Sequence, residues 1–239
     1  MKLTVLGCHG PFARRGACSS YLVSHEGTNI LLDMGNGSLA NFLEAHSISG
    51  IDAIFLSHLH YDHMSDIQIL KYAIGQSRMR GFDIPQIPLY LPGSPQEVFQ
   101  TVTAGGDCFS VTVIHDFSET VVGNMKVVCS QMTHPVESYG FEIFSGGAKI
   151  AYTGDTTLND NVYKLAYNAD IFLADGGLLE IHGGKNAPHM TAACAGKAGA
   201  KARRTIVTHL SPVYSELDII SELTENSELA EEGKTYEVL

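Results

Sequence analysis

The stretch Ser57-His58-Leu59-His60-Tyr61-Asp62-His63 constrains this chain more than any other. Three imidazoles and one carboxylate fall within the six residues from His58 to His63. Ahead of them runs Ile51-Asp52-Ala53-Ile54-Phe55-Leu56, an apolar segment of strand length. Behind them, Met64 to Met79 spaces Ile67, Leu70 and Ile74 along one helical face. The cluster therefore occupies a strand-to-helix loop at the end of a sheet. His58 and His60 stand two apart in extended chain, so their rings project to the same side. The turn that follows lets Asp62 and His63 face a second point nearby. Imidazole nitrogen with carboxylate oxygen suits zinc, and also manganese or iron. A polar loop that happens to be rich in His is the competing explanation, but packing gives no reason for four such side chains behind a buried strand.

The rest of the chain reads as strands, hairpins and helices. Leu3 to Leu6 is a strand, and Gly7 to Gly16 a loop by its Gly and Pro content. Cys18 to Ser24 and Thr28 to Asp33 form a hairpin. Ser38 to His46 is a short helix. Ile84 to Leu91 holds a short strand between loops. Ser94 to Thr103 is a helix, with Ser94 and Glu97 in capping-box spacing. Phe109 to Phe117 alternates as a strand. Val121 to Val128 is a hairpin centred on Gly123-Asn124, and Ser138 to Phe144 with Lys149 to Thr153 forms another. A helix over Asp160 to Tyr167 leads to the strand Ile171 to Ala174, which ends at Asp175. A loop over His182 to His189 precedes an Ala/Gly-rich helix from Met190 to Ala202. Ser215 to Ala230 is expected to be the last helix and Thr235 to Val238 the last strand. Hairpins outnumber helical crossovers in this reading, which argues against a doubly wound parallel sheet. Two β-rich halves with helices outside give an α/β (α+β) fold, a four-layer αββα sandwich. No linker or charge run divides it, so residues 1–239 are read as a single domain.

Composition sets further limits. With 44% hydrophobic residues in 239, a sizeable core is expected and general disorder is not. The start of the chain is too short an apolar run for a signal peptide, and no stretch approaches about 18 uninterrupted apolar residues. A cytoplasmic protein without a membrane partner is expected. Five scattered cysteines without a Cys-x-x-Cys pair read as buried free thiols. A net charge of −11 argues against an extended nucleic-acid surface. It leaves room for a phosphorylated substrate, because bound dications would make a pocket locally positive.

His-x-His-x-Asp-His resembles the signature of the metallo-β-lactamase superfamily. That resemblance implies further single ligands in a fixed order, and the chain offers a match for each. Thr133-His134-Pro135 follows a strand, Tyr152-Thr153-Gly154-Asp155-Thr156 ends another, and Val207-Thr208-His209-Leu210 ends a third. Leu31-Leu32-Asp33-Met34-Gly35 matches the supporting Asp near the first hairpin. The motifs run in order from about Leu3 to Tyr214. The resemblance implies that His58, His60 and His134 bind one divalent metal, that Asp62, His63 and His209 bind a second, and that Asp155 bridges them. Zinc is the expected metal, with manganese or iron as alternatives. Two neighbouring dications need an anionic bridge, and a hydroxide between them would be the nucleophile. Asp62 would also orient that hydroxide. Asp33 would hold a ligand His by its free ring N–H, with a plain turn carboxylate as the alternative. His9, His25, His46, His115 and His182 receive no role beyond surface or loop residues, with His9 a partial exception because its loop lies where the strand ends of this family meet the site.

Within the superfamily, two features resemble the ribonuclease Z branch. One is Gly7-Cys8-His9-Gly10-Pro11 with Arg14 and then Ser19-Ser20-Tyr21-Leu22. The other is Ala174-Asp175-Gly176-Gly177 followed by Pro188-His189-Met190-Thr191. The branch usually has Glu at Asp175 and Ser at Met190. Bacterial tRNA-processing members insert a flexible arm between the positions of His134 and Asp155. Here the interval is residues 135–154, and a hairpin takes most of it. The resemblance therefore implies a phosphodiesterase for a small phosphodiester or cyclic nucleotide, with His189 and Asp175 as an acid pair. A lactonase or thioesterase, a tRNA 3′-processing endoribonuclease and a non-catalytic metal-binding module are the alternatives. The sequence leaves the oligomeric state open, a homodimer included.

Overall fold

The structure is a computed structural model and describes residues 1–184 and 186–238. The first half runs β1 (Lys2–Gly7), β2 (Ser20–His25), β3 (Thr28–Leu32), α1 (Ser38–Leu43), β4 (Ala53–Phe55), α2 (Tyr61–Met64), α3 (Asp66–Met79), β5 (Ile87–Leu91), α4 (Gln96–Thr103) and β6 (Phe109–Val113). The second runs β7 (Glu119–Val122), β8 (Met125–Gln131), β9 (Tyr139–Ser145), β10 (Ala148–Tyr152), α5 (Asp160–Ala166), β11 (Ile171–Asp175), α6 (Ala192–Ala198), β12 (Thr205–Thr208), α7 (Glu216–Ser221) and β13 (Ser227–Leu229). The final strand, β14 (Thr235–Glu237), returns to the first sheet beside β1.

Two seven-stranded sheets result, ordered β14-β1-β2-β3-β4-β5-β6 and β13-β12-β11-β10-β9-β8-β7. The first half shows how strand period sorts side chains into layers. Val23, Ile30, Leu32 and Phe55 pack into the core that also holds Val127, Phe141 and Ile143 of the second sheet. Their alternating neighbours Leu22, Leu31 and Ile54 face outward and meet Phe42 of α1 and Leu70 and Ile74 of α3. Helix, sheet, sheet and helix thus stack as the four-layer αββα sandwich.

Several local expectations change. Among the described residues, parallel and antiparallel ladders divide evenly, six of each, so hairpins do not outnumber crossovers. One crossover was hidden in the stretch read as a helix from Ser215 to Ala230. There α7 covers only Glu216–Ser221, and β13 pairs in parallel with β12. The Ser227 hydroxyl accepts from Thr224 N at 2.8 Å and donates to Thr224 O at 2.9 Å, a local turn that competes with helix. Ser94 caps nothing. α4 begins at Gln96, and the Ser94 amide donates to Glu137. The Ala/Gly-rich helix starts at Ala192 with the Thr191 hydroxyl accepting from Cys194 N, so His189 stands in the loop ahead of it.

Phe141 is fully buried between the sheets, edge-on to Phe55 at 5.6 Å between ring centres. Phe141→Ala is expected to lower stability by about 3–5 kcal/mol through lost burial and a residual cavity. Urea unfolding of metal-free protein followed by circular dichroism would measure it. A change within experimental error would mean that the two sheets do not depend on this contact.

Candidate metal centre

β4 ends at Phe55, and Leu56 N still donates to the Tyr90 carbonyl of β5. The chain stays extended through His60 and then enters α2, which carries Asp62 and His63 on its first turn. β8 ends just before His134, β10 just before Asp155, and β12 just before His209. Asp175 is the last residue of β11. The ends of five strands, one from the first sheet and four from the second, therefore meet at one point between the sheets. All nine side chains singled out from the sequence, namely His58, His60, Asp62, His63, His134, Asp155, Asp175, His189 and His209, are brought together there.

They form three overlapping groups whose nitrogen and oxygen atoms lie within 4.8 Å of one another. One is His58, His60, His134 and Asp155. A second is Asp62, His63, Asp155 and His209. The third is Asp155, Asp175, His189 and His209. Asp155 belongs to all three. Its Oδ2 lies 3.5 Å from His58 Nε2 and 3.3 Å from His209 Nε2, and its Oδ1 lies 3.3 Å from His63 Nε2. Two glycines make this convergence sterically available. Gly154 has φ +59, and a Cβ there would stand 2.9 Å from the Tyr139 carbonyl oxygen and 2.8 Å from Ser57 Cβ. A Cβ on Gly10 would overlap the His209 ring, so the first loop runs flat against that imidazole.

Hydrogen bonds on the outer side aim the rings. Asp33 is fully buried and holds four donors: Ser57 N at 2.7 Å, Ser57 Oγ at 2.8 Å, His63 Nδ1 at 2.8 Å and Tyr152 Oη at 2.7 Å. Because the Ser57 hydroxyl donates to Asp33, it accepts from His58 Nδ1 at 3.0 Å. That leaves the His58 Nε2 lone pair facing inward. His134 donates through Nδ1 to the Pro188 carbonyl at 3.1 Å, which also turns its Nε2 inward. His58 Nε2, His60 Nδ1 and His134 Nε2 thus face one another at 3.0 and 3.2 Å.

Such lone pairs have no partner of their own, and the buried atoms His63 Nε2, Asp155 Oδ1 and His209 Nδ1 have no hydrogen bond. Buried polar atoms are normally paired, so the donor set fits a bound cation. The protonation states agree. Burial holds the imidazoles of His58, His60 and His134 below their ordinary range, keeping them neutral. Burial opposes ionisation of Asp155, yet the imidazoles of His209 and His63 beside it hold its carboxyl well below the usual range. His63 is the exception. Burial favours its neutral form, but Asp155 and Asp33 outweigh burial and hold its proton on. For His189, burial pulls downward, while the Asp175 charge, its hydrogen bond at 2.9 Å and the Asp155 charge push the imidazole up to about 9.

The family model described as "Beta-lactamase superfamily domain" matches residues 28–210. The chain belongs to the metallo-β-lactamase superfamily. It is 29% identical over 213 residues to "Probable metallo-hydrolase YhfI" of Bacillus subtilis, covering 88% of this chain and 87% of that one. The crystal structure of YhfI has a TM-score of 0.91 to this chain at 26% identity, covering 98% of each. Ribonuclease Z of Chlamydia muridarum is 26% identical over 298 residues, covering 98% and 96%. A diphosphatase of the PhnP family has a TM-score of 0.78 at 22% identity, covering 100% of this chain and 98% of that one, a likeness of fold.

In this metallo-β-lactamase chain, fold and His/Asp cluster together suggest divalent metal binding, and its metallo-hydrolase relatives support a metal-dependent hydrolase. Sequence reasoning missed Tyr152 and Ser57 as partners of Asp33. Tyr152 is one of many buried aromatics in a strand, and nothing local marks its hydroxyl. The Pro188 carbonyl that aims His134 leaves no side-chain signal at all.

Asp33→Ala is expected to weaken metal binding by about 10–100-fold, the usual effect of losing a carboxylate behind a ligand His. Competition with a chromophoric chelator would read it, and unchanged affinity would mean the rings need no such support. Metal uptake should displace the His63 proton, so affinity rises with pH. Calorimetry in buffers of different ionisation enthalpy would count the protons released. In metal-free protein, the Asp175–His189 pair should stabilise the fold fully below the ordinary histidine value of 6.5 and fade as pH rises through about 9. An NMR titration of the His189 ring checks this, and a midpoint near 6.5 would contradict it.

Proposed function

We propose that this chain is a metal-dependent phosphodiesterase acting on a small phosphodiester, with cyclic and short nucleotides as the substrate class. The Asp175–His189 pair carries the reading. Asp175 is fully buried and engages His189 Nδ1 at 2.9 Å, while the His189 ring stacks on His209 at 4.7 Å and keeps 17% of its side chain exposed. The Nε2 of His189 is the ring nitrogen left for substrate. Hydrolysis at phosphorus expels an alkoxide, and a cationic donor beside the metal site suits that demand.

His58, His60 and His134 would hold one divalent ion, and Asp62, His63 and His209 a second, with Asp155 shared. Zinc is the expected metal, manganese or iron the alternatives. Such a pair would supply Lewis acidity and a water of lowered pKa. The chain's own residues orient and move protons. Asp62 keeps its carboxylate ionised against its burial, through the hydrogen bond from His209 Nε2 at 3.1 Å, and can align an attacking water. His189 Nε2 can stabilise charge on phosphorus and protonate the leaving oxygen. Five unpaired cysteines suit a reducing, cytoplasmic compartment, and among the described residues no helix is long and apolar enough to cross a membrane.

Similarity to ribonuclease Z favours tRNA 3′-processing as the second reading. Against it, residues 135–154 hold only the β9–β10 hairpin, closed by Gly146 and Gly147, without room for a tRNA-gripping arm. A lactonase or thioesterase would not need the Asp175–His189 pair, and non-catalytic modules on catalytic folds tend to lose ligands, so the complete donor set argues against that reading.

A panel of cyclic and linear phosphodiesters assayed with zinc and with manganese tests the reading. Small esters should be cleaved and intact pre-tRNA poorly. Efficient 3′ cleavage of pre-tRNA at micromolar enzyme and physiological salt would overturn that order. His189→Ala is expected to slow esters with poor alkoxide leaving groups by roughly 10²–10⁴ and p-nitrophenyl esters far less, with metal content unchanged. Equal slowing would remove the proton-donor role, and metal loss would make His189 a ligand.

A further inference from the structure

A cavity of about 400 Å³ opens beside His189. Thr157, Leu158, Met190 and Cys194 line it, with Glu180 and the backbone of Gly183 and Gly184. Its size lies within the usual range of ligand pockets. None of the seven side chains assigned above to metal lines it, so it is distinct from the ligand cluster. His189 belongs to both, since it faces this space and also stacks on His209 and bonds to Asp175. Thr157 follows Asp155 by two residues, so one short segment joins the cavity to the centre.

We propose that this cavity is the subsite for the leaving arm of the substrate and that it accepts a nucleoside. The proposal rests on the phosphodiesterase reading. An oxygen that takes its proton from His189 Nε2 must sit against His189, and the group attached to that oxygen must occupy the space His189 borders. In the step itself, the P–O bond to the nucleoside breaks, the new P–O bond comes from water, the His189 proton goes to the departing oxygen, and the proton given up by the water passes to solvent, from which His189 is reprotonated. The lining suits the two parts of a nucleoside. Leu158 is partly exposed and offers apolar surface to a flat ring, above the buried Met190. Glu180 takes one hydrogen bond from Lys197 at 3.2 Å through Oε1 and retains Oε2 as an acceptor for sugar hydroxyls.

Cys194 makes the subsite testable, because it is the half-buried cysteine while Cys8, Cys18, Cys108 and Cys129 are buried. Zinc-loaded wild-type protein treated with iodoacetamide should be alkylated at Cys194, read by peptide mass spectrometry. Thymidine should slow that reaction saturably, as a ligand filling the site would. Rates unaffected by thymidine would overturn the proposal. Cys194→Phe supplies a second reading, with two substrates that share a thymidine 5′-phosphate arm. One loses a nucleoside and the other p-nitrophenol. The variant should reduce kcat/KM for the first about tenfold more than for the second. Equal losses would overturn the assignment. If wild-type protein cleaves neither ester, the phosphodiesterase reading fails, and thymidine protection of Cys194 alone decides whether a nucleoside site exists.

Discussion

One buried carboxylate ties the structure to its site. Asp33 leaves β3 with φ +58, a left-handed conformation that costs energy for a residue with a side chain. It is held there by four donors from three places: the end of β4, the first turn of α2 and Tyr152 of β10 in the other sheet. Breaking any of these would leave a charge buried without its full complement, which costs far more than an exposed bond. The same contacts orient His63 directly and His58 through the Ser57 hydroxyl. Each of these histidines belongs to a different ligand group. Sheet packing and ligand geometry therefore rest on the same hydrogen bonds.

Around that anchor, the site concentrates charge that the rest of the molecule opposes. The chain carries a net charge of −11, and Asp62, Asp155 and Asp175 crowd together with six imidazoles in reach. Histidine protons partly balance the carboxylates, as at His63 and His189. Cations there would take over that balance and release protons. The acidic exterior disfavours long polyanions through long-range repulsion, while a compact substrate feels mainly the local field. Surface charge and the short β9–β10 turn are thus the two observations that support the small substrate proposed above.

Hairpins build the side of each sheet that meets its partner sequence neighbour, and helical crossovers build the other side. The crossovers place successive strand ends at the same edge of the sandwich. Connections leaving strand ends at that edge carry the ligand candidates, His134 among them on the β8–β9 hairpin connection, which is how a rigid scaffold usually presents chemistry. Gly10 and Gly154 then let backbone approach the rings at distances that any side chain would prevent.

The chain's sequence by itself determined the layers and the residues of the centre. In Tyr21 to Val23, Ile30 to Leu32 and Ala53 to Phe55 the apolar run is continuous, so both faces are buried, and successive side chains go alternately to the facing sheet and to the helices. His58 to His63 is local in sequence and therefore legible, and the single motifs at His134, Asp155 and His209 gained meaning from their order. Tertiary structure decided what depends on distant contacts. The stretch after Ser215 has helical spacing, yet Leu229 ends in a strand because β12 offers an unpaired edge. Ser94 has capping chemistry, yet its amide is taken by Glu137 across the fold. The partnership of Asp33 with Tyr152 spans 119 residues, and the cavity beside His189 is assembled from segments separated in the chain. Local pattern fixes direction and period, but a hydrogen bond or a cavity wall exists only once remote segments have met.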